Sequence, residues 1–460
     1  MGGTAPGSAA ENRGAEAVPL RWRLPHRAHQ TGTVAAAGDA ADARVSTGRE
    51  GTRGPLMRSE HCTLLIASRA DLWPPHHGAA ARIVNCAKFE SRRFRRVVIA
   101  TPDTARHFEF DDGRLREHPY PRAIRVAARL LRGLSFWRWR LLRRGIPFDE
   151  TVFMRPLFDV GYRLQLLYVG WRYRPKFIQA EFPWFAVPCF RLARRLGASV
   201  LVSEHNVEFE RIRSIYADLP RAAAQWIRER ELSICRSADA IATVSERDKA
   251  TLVAEGLPPD KVVVAPNGVD FESFTRCDGR SLRTILQIPD ESKILIFHGT
   301  LWYPPNRRAL AILASEILPR IEARGVQALL VAVGEHPPGL VFPAKVRSTG
   351  PVDDLAAHLR GADLAIVPLT SGGGTPIKIV EYFAARVPVI ASTTAVCGLG
   401  VQPGVHLHVE DDWERIANRA VEILQNPDSC DAMTGRAFEV AARSDWRRTA
   451  DILVTAHTRE

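Results

Sequence analysis

The chain has 460 residues, 46% of them hydrophobic, with 63 Lys and Arg against 51 Asp and Glu, a formal charge of +12. That length accommodates two cores of ordinary domain size, and the positive balance favours anionic partners of some kind. Seven scattered cysteines (Cys62, Cys86, Cys189, Cys235, Cys277, Cys397, Cys430), never spaced Cys-x-x-Cys, argue against a disulfide framework or a zinc site, and no apolar run of about 18 residues reads as membrane-spanning.

Residues 1–57 are rich in Ala, Gly, Arg and Thr and lack periodicity. Too few large apolar side chains are present there to offset the entropy of ordering, so an unfolded extension is expected. It has no apolar segment of the secretory kind, which points to the cytoplasm. Met57 stands directly before the first strand-like run and is a candidate alternative start.

Short apolar runs then alternate with longer amphipathic stretches. Residues 62–67, 97–100, 177–180, 200–203, 240–244 and 262–265 read as strands. After the turn signal Pro266-Asn267-Gly268-Val269-Asp270, a second series falls at 294–298, 329–333, 364–368 and 388–391. Helical spacing marks 306–324, 353–360, 376–385 and 413–424. Strand alternating with helix implies parallel sheets, hence an α/β chain of two Rossmann-like, doubly wound domains, 58–278 and 279–435. Ligands of such folds sit beyond the carboxyl ends of the strands, so Gly78, Gly299-Thr300, Gly334 and the loop 371–375 are expected to meet at a cleft between the domains.

Between Arg122 and Arg144 arginines are mixed with Leu130, Leu131, Leu134, Phe136, Trp137, Trp139, Leu141 and Leu142, as in interfacial helices. An anionic membrane surface is one expected partner. A solvated basic face on a helix packed into the first domain is the alternative. Nucleic acid is not expected, because the charge is spread and no recognition motif appears.

Ser371-Gly372-Gly373-Gly374-Thr375-Pro376 leads into a helix, with Thr375 expected as the N-cap and Pro376 as the first helical residue. The unpaired amides and partial positive charge of a helix start, approached closely through glycine, suit a diphosphate without a metal. Lys378 and Glu381 share a helical face, Lys378 nearer the phosphates and Glu381 a turn deeper, where it can accept from ribose hydroxyls. The alternative is an ordinary loop followed by an exposed Lys–Glu pair. His76 and His77 point in different directions and have no third ligand at suitable spacing, so no metal site is expected.

Glu381 followed by Ala384-Ala385-Arg386-Val387-Pro388-Val389-Ile390 resembles the donor-site signature of the family-4 glycosyltransferases, retaining enzymes of the GT-B fold. The Gly-Gly-Gly-Thr loop, with Tyr303-Pro304-Pro305-Asn306 upstream, looks like a bacterial branch linked to exopolysaccharide and cell-surface glycan synthesis. Two departures stand out: Gly373 occupies the place of the family's first Glu, and Phe297 to Asn306 replaces the segment that usually carries an Arg and Lys phosphate pair.

The resemblance implies two domains facing across a cleft, with 436–460 forming a helix that crosses back to the first. It implies a metal-independent, hexosyltransferase-like transfer from a nucleotide-sugar to a glycan or lipid-linked acceptor, with no cofactor, at the inner face of the plasma membrane. Donor contacts fall on Gly299, Thr300, Gly334, Gly373, Gly374, Thr375, Lys378 and Glu381, with Lys378 replacing the missing cations. Gly78, His205 and Asn206 fall on the acceptor side, and His205, Lys378 and Glu381 are the catalytic candidates. Competing readings are a silent donor-binding scaffold of a glycan assembly complex and a nucleotide-sugar epimerase.

Overall fold

The computed structural model describes residues 61–102, 105–141, 145–276 and 281–458, and the side chains of 134 and 136–141 fall outside the description as well. The expectations for 1–57, Met57, Cys277 and the aromatic part of the arginine-rich segment therefore lie outside the described residues.

The first sheet has eight strands: β1 (Thr63–Ala67), β2 (Arg96–Ala100), β3 (Arg106–Asp111), β4 (Arg114–Pro119), β5 (Phe177–Glu181), β6 (Ser199–Ser203), β7 (Ala240–Thr243) and β8 (Val262–Val264). Their order is β4-β3-β2-β1-β5-β6-β7-β8. From β2 to β8 neighbours run parallel. Leu64, Leu65, Ile66, Val97, Val98 and Ile99 are fully buried, as expected where helices cover both faces.

β3 and β4 are an antiparallel hairpin that the strand reading missed. Its turn is Asp112-Gly113, both at positive φ, a pairing that by itself signals a tight hairpin. Charged residues conceal the strand pattern: β4 is the sheet edge and is mostly exposed, and charge protects such an edge from further pairing.

The second sheet has six strands, β9 (Lys293–His298), β10 (Ala328–Val333), β11 (Val346–Gly350), β12 (Leu364–Val367), β13 (Val389–Ala391) and β14 (His408–Val409). They are parallel throughout, in the order β11-β10-β9-β12-β13-β14. The edge strands β11 and β14 also escaped the sequence reading, one because Arg347-Ser348-Thr349 is polar, the other because it has two residues.

The helix expected over 306–324 begins earlier, at Pro304, where proline suits a first turn lacking donors. It also has a π-helical turn at Leu313–Ile317, just before Pro319, which has no N–H to give to the ladder. Each sheet has its own apolar core. The last helix, Trp446–Thr458, lies on the first sheet: it packs on helix Gly78–Glu90 and on β6 to β8, and Val454 joins the first core. Thr449 Oγ1 donates to the Pro266 carbonyl at 2.7 Å. Gly268 makes room for this crossing, since a Cβ there would lie 2.8 Å from the Trp446 backbone nitrogen.

Candidate active site

On the second-domain wall, β9 and β10 are followed directly by Gly299 and Gly334, at φ 135° and 137°. A Cβ on Gly334 would come within 2.6 Å of the Gly299 carbonyl oxygen, so Gly334 supports the Gly299 turn from behind. Asn306 then ties the turn to the helix Ile377–Ala384: its amide donates to the Thr300 carbonyl at 2.9 Å, and its Oδ1 accepts from Lys378 Nζ at 2.8 Å. The Lys378 ammonium also stands 4.1 Å from the centre of the Phe297 ring. Burial pulls this amine down to about 7, with Glu381 opposing the shift.

Lys378 is thus a buried amine that loses its charge above about pH 7 in the free protein, and it does not pair with Glu381. Glu381 turns the other way, its Oε2 2.7 Å from His298 Nε2. That arrangement removes the exposed Lys–Glu pair as a description of this helix.

Thr375 is not the N-cap. Pro376 takes that place with an extended ψ of 113°, and the helix starts at Ile377. The reason lies across the domain boundary: the Asn267 amide donates to both the carbonyl and the hydroxyl of Thr375, each at 2.9 Å. Asn267 is held in turn by Arg82 at 3.0 Å.

The glycines before Thr375 approach protein backbone. The Gly372 N–H donates to Ser214 Oγ at 3.1 Å. A Cβ on Gly373 would lie 2.8 Å from Arg211 Cβ, and one on Gly374, at φ 63°, would lie 2.4 Å from the His205 carbonyl and 2.6 Å from Asn206 Oδ1. The close approach assigned to a ligand is used to seat this loop on the first domain. Arg308 reaches the loop from the other side, 3.2 Å from Ser371 Oγ.

Gly78 is the first residue of helix Gly78–Glu90, whose start His77 caps by accepting from the Ala80 N–H at 3.1 Å. A Cβ on Gly78 would lie 3.2 Å from Ile377 Cδ1. Two helix N-termini, one from each domain, therefore meet at the boundary, and both present positive dipole ends and amides without intrahelical partners.

On the first-domain wall, His205 Nε2 lies 2.6 Å from Glu181 Oε2, and its ring stacks on Phe182 with centroids 4.1 Å apart. Phe182 holds a φ of 71°, an uncommon conformation for an aromatic residue. Gln179 donates to the second Glu181 oxygen at 2.6 Å. Burial lowers His205 although Glu181 opposes it; burial raises Glu181, but the hydrogen bond and charge of His205 outweigh it and leave the carboxyl below its usual range. Asn206 donates to Glu208 at 3.0 Å, and Glu208 with Glu150 brackets the Arg211 guanidinium at 2.6 to 3.0 Å.

The expected residues thus gather at one junction, Gly334 one layer behind. Glu181, Phe182, Arg211, Glu150, Arg82, Asn267, His298 and Arg308 were not singled out from sequence. They stand apart in sequence from the glycine loop, although Asn267 lies in the Pro266–Asp270 turn signal, and the strand-end rule that picked out Gly78, Gly299 and Gly334 applies equally to Glu181 and Phe182 at the end of β5. Among the described residues, no group of three or more His, Cys, Asp or Glu is arranged to hold a metal ion.

Two parallel-sheet domains meeting at strand ends are the GT-B architecture, and solved structures share it. Sucrose-phosphate synthase from Thermosynechococcus elongatus aligns with a TM-score of 0.65 at 17% identity, over 85% of this chain and 97% of that one. Anabaena Alr3699/HepE, solved with UDP-glucose, aligns with a TM-score of 0.59 at 13% identity, over 86% and 99%.

Residues 76–273 match the family described as Glycosyltransferase Family 4, and residues 292–426 match Glycosyl transferases group 1. Each of the two domains thus carries a match to a glycosyltransferase family model. A D-inositol 3-phosphate glycosyltransferase of Kineococcus radiotolerans is 28% identical over 270 residues, 53% of this chain. The match spans 61% of that relative's length. A namesake from Mycobacterium bovis is 25% identical over 239 residues, 48% of each chain.

Proposed function

We propose that the protein transfers a sugar, hexose-like and with retention of anomeric configuration, from a nucleotide-sugar to a glycan or lipid-linked acceptor, with no metal or cofactor. The observation that supports this reading best is the meeting of two helix N-termini at Gly78 and Ile377, with the buried Lys378 ammonium one residue on. Fixed amides and a cation in a site shielded from water stabilise the negative charge that grows on a departing diphosphate. Gly299 and Thr300 add backbone groups beside Lys378, and Glu381 accepts from ribose hydroxyls and orients the nucleotide. His205, with Asn206 beside it, lines the sugar site from the acceptor side, while the acceptor proton passes to the diphosphate in a front-side displacement.

The nucleotide-sugar in the HepE structure and the transferase names of the relatives support this class of donor. The test is the anomeric configuration of the product, read by proton NMR after reaction with membrane extract as acceptor. Retention is expected, and inversion rejects the front-side mechanism. Acceptor-free turnover would favour the epimerase reading.

The same proposal places the protein at the cytoplasmic face of the plasma membrane, in cell-surface glycan assembly. No described helix is long and apolar enough to cross a membrane. Helix Arg122–Leu141 contains no acidic residue, and its outward stripe combines Arg122, Arg125 and Arg129 with exposed Val126 and Leu130. Trp171, 68% exposed, extends an apolar surface along the neighbouring helix Val160–Tyr173. Basic and apolar groups on one face suit an anionic bilayer. The protein is expected to float with phosphatidylserine-containing vesicles and to lose this when Arg122, Arg125 and Arg129 are changed together to Glu; flotation unaffected by that change removes the membrane contact.

A further inference from the structure

We propose that His298 is a positioning residue, one that holds the Glu381 carboxylate so that a single oxygen is offered to the donor nucleotide. The proposal rests on the donor-site reading above.

His298 ends β9, directly before Gly299. Its place is fixed independently of Glu381. Its backbone N–H donates to the Tyr382 hydroxyl at 2.8 Å, and its ring packs edge-on to Tyr382 with centroids 4.7 Å apart at 82°. Phe297 on its other side is committed to the core and to Lys378. The imidazole is therefore a rigid group on a rigid strand, 6% exposed, from which Nε2 reaches Glu381 Oε2 at 2.7 Å.

The protonation state follows from the surroundings. Burial pulls the imidazole below its ordinary range, Glu381 opposes this, and the Lys378 charge adds to the fall. A neutral ring facing a carboxylate places its single hydrogen on Nε2, which fixes the tautomer. Nδ1 is left as a buried lone pair with no hydrogen-bond partner among the described residues. Donation to Glu381 is the one side-chain hydrogen bond this ring makes there.

Glu381 depends on that contact. Lys378, one turn earlier, is committed to Asn306 and does not hold the carboxylate. The Glu381 side chain retains 16% exposure, so one oxygen is fixed from behind while the group stays within reach of a ligand. A carboxylate clamped at one oxygen can give the other to a hydroxyl without first losing rotational freedom; a free one loses part of its affinity in being ordered. His298 then acts through Glu381, and its influence falls on the nucleoside part of the donor, whereas that of Lys378 falls on the phosphates.

The experiment is calorimetric titration of the whole protein with UDP, GDP and ADP and with their nucleosides. For the nucleotide that the wild type binds, His298→Leu is expected to weaken the diphosphate and its nucleoside by the same factor, about tenfold. Lys378→Met is expected to weaken the diphosphate alone. His298→Gln, whose amide can reach the same oxygen, is expected to recover affinity to within about threefold of wild type. Nucleoside affinity unchanged in a folded His298→Leu, or no recovery in His298→Gln, overturns the positioning role. Failure of the wild type to bind any of the three diphosphates overturns the donor-site reading and this proposal with it, and that result is read from the wild type alone.

Discussion

Replacing Lys378 by methionine is expected to lower acceptor-dependent kcat/KM by roughly 10²- to 10³-fold, the usual loss when one preorganised donor to a developing anion is removed. Methionine keeps the length and the packing over Phe297, so the melting temperature should stay close to wild type while the charge disappears. The same residue sets a pH dependence whose direction follows from its environment. In the free protein burial holds the amine at about 7; a bound diphosphate restores a partner charge and raises it. Donor binding then takes up a proton above pH about 7, and donor KM rises with pH by at most about tenfold per unit. KM of the methionine variant should be flat over that range. An equal slope in both proteins would remove Lys378 from the phosphate site.

A second large effect is expected at Gly374. Valine there would have to adopt a φ of 63° and place its Cβ 2.4 Å from the His205 carbonyl. The left-handed conformation alone costs about 1–2 kcal/mol, and the clash is with backbone, which cannot rotate away. The loop must then leave the first domain, carrying Thr375 off Asn267, so Gly374→Val should lower the melting temperature and abolish transfer. Gly400→Val separates the two causes. Gly400 has nearly the same backbone angle, 68°, but nothing within 4 Å of a Cβ. It should show the strain cost without loss of turnover. Equal losses from both would mean that strain, and not the seat on His205 and Asn206, is what Gly374 relieves.

The strand–helix alternation made the two parallel sheets legible, because their central strands are continuous apolar runs such as Leu64-Leu65-Ile66 and Ile294-Leu295-Ile296. Three of the four edges were not: β4 and β11 are largely polar and β14 has two residues, whereas the apolar edge β8 was read from sequence. At the site, the glycine loop, Lys378 and Glu381 could be found from their spacing on one segment. Their partners could not. Lys378 meets Asn306, Glu381 meets His298 and Thr375 meets Asn267 only because β9, the interdomain turn and the helix Ile377–Ala384 converge in space. The Thr375 cap failed for the same reason, since a competing donor from another domain is invisible to a local capping rule.

Gly373 shows the limit from the other side. Its sequence position marks an absent carboxylate, but the structure gives that absence a physical cause. Arg211, bracketed by Glu208 and Glu150, fills the space into which a side chain at 373 would project.

The decisive measurement is release of nucleoside diphosphate from a panel of UDP-, GDP- and ADP-sugars, with and without membrane extract as acceptor, by wild type and by Glu381→Ala. Acceptor-dependent release by the wild type from one donor, strongly reduced in the variant, is the expected result. A wild type that binds a nucleotide-sugar but releases no diphosphate with any acceptor fraction would contradict the transferase and leave a donor-binding scaffold in its place.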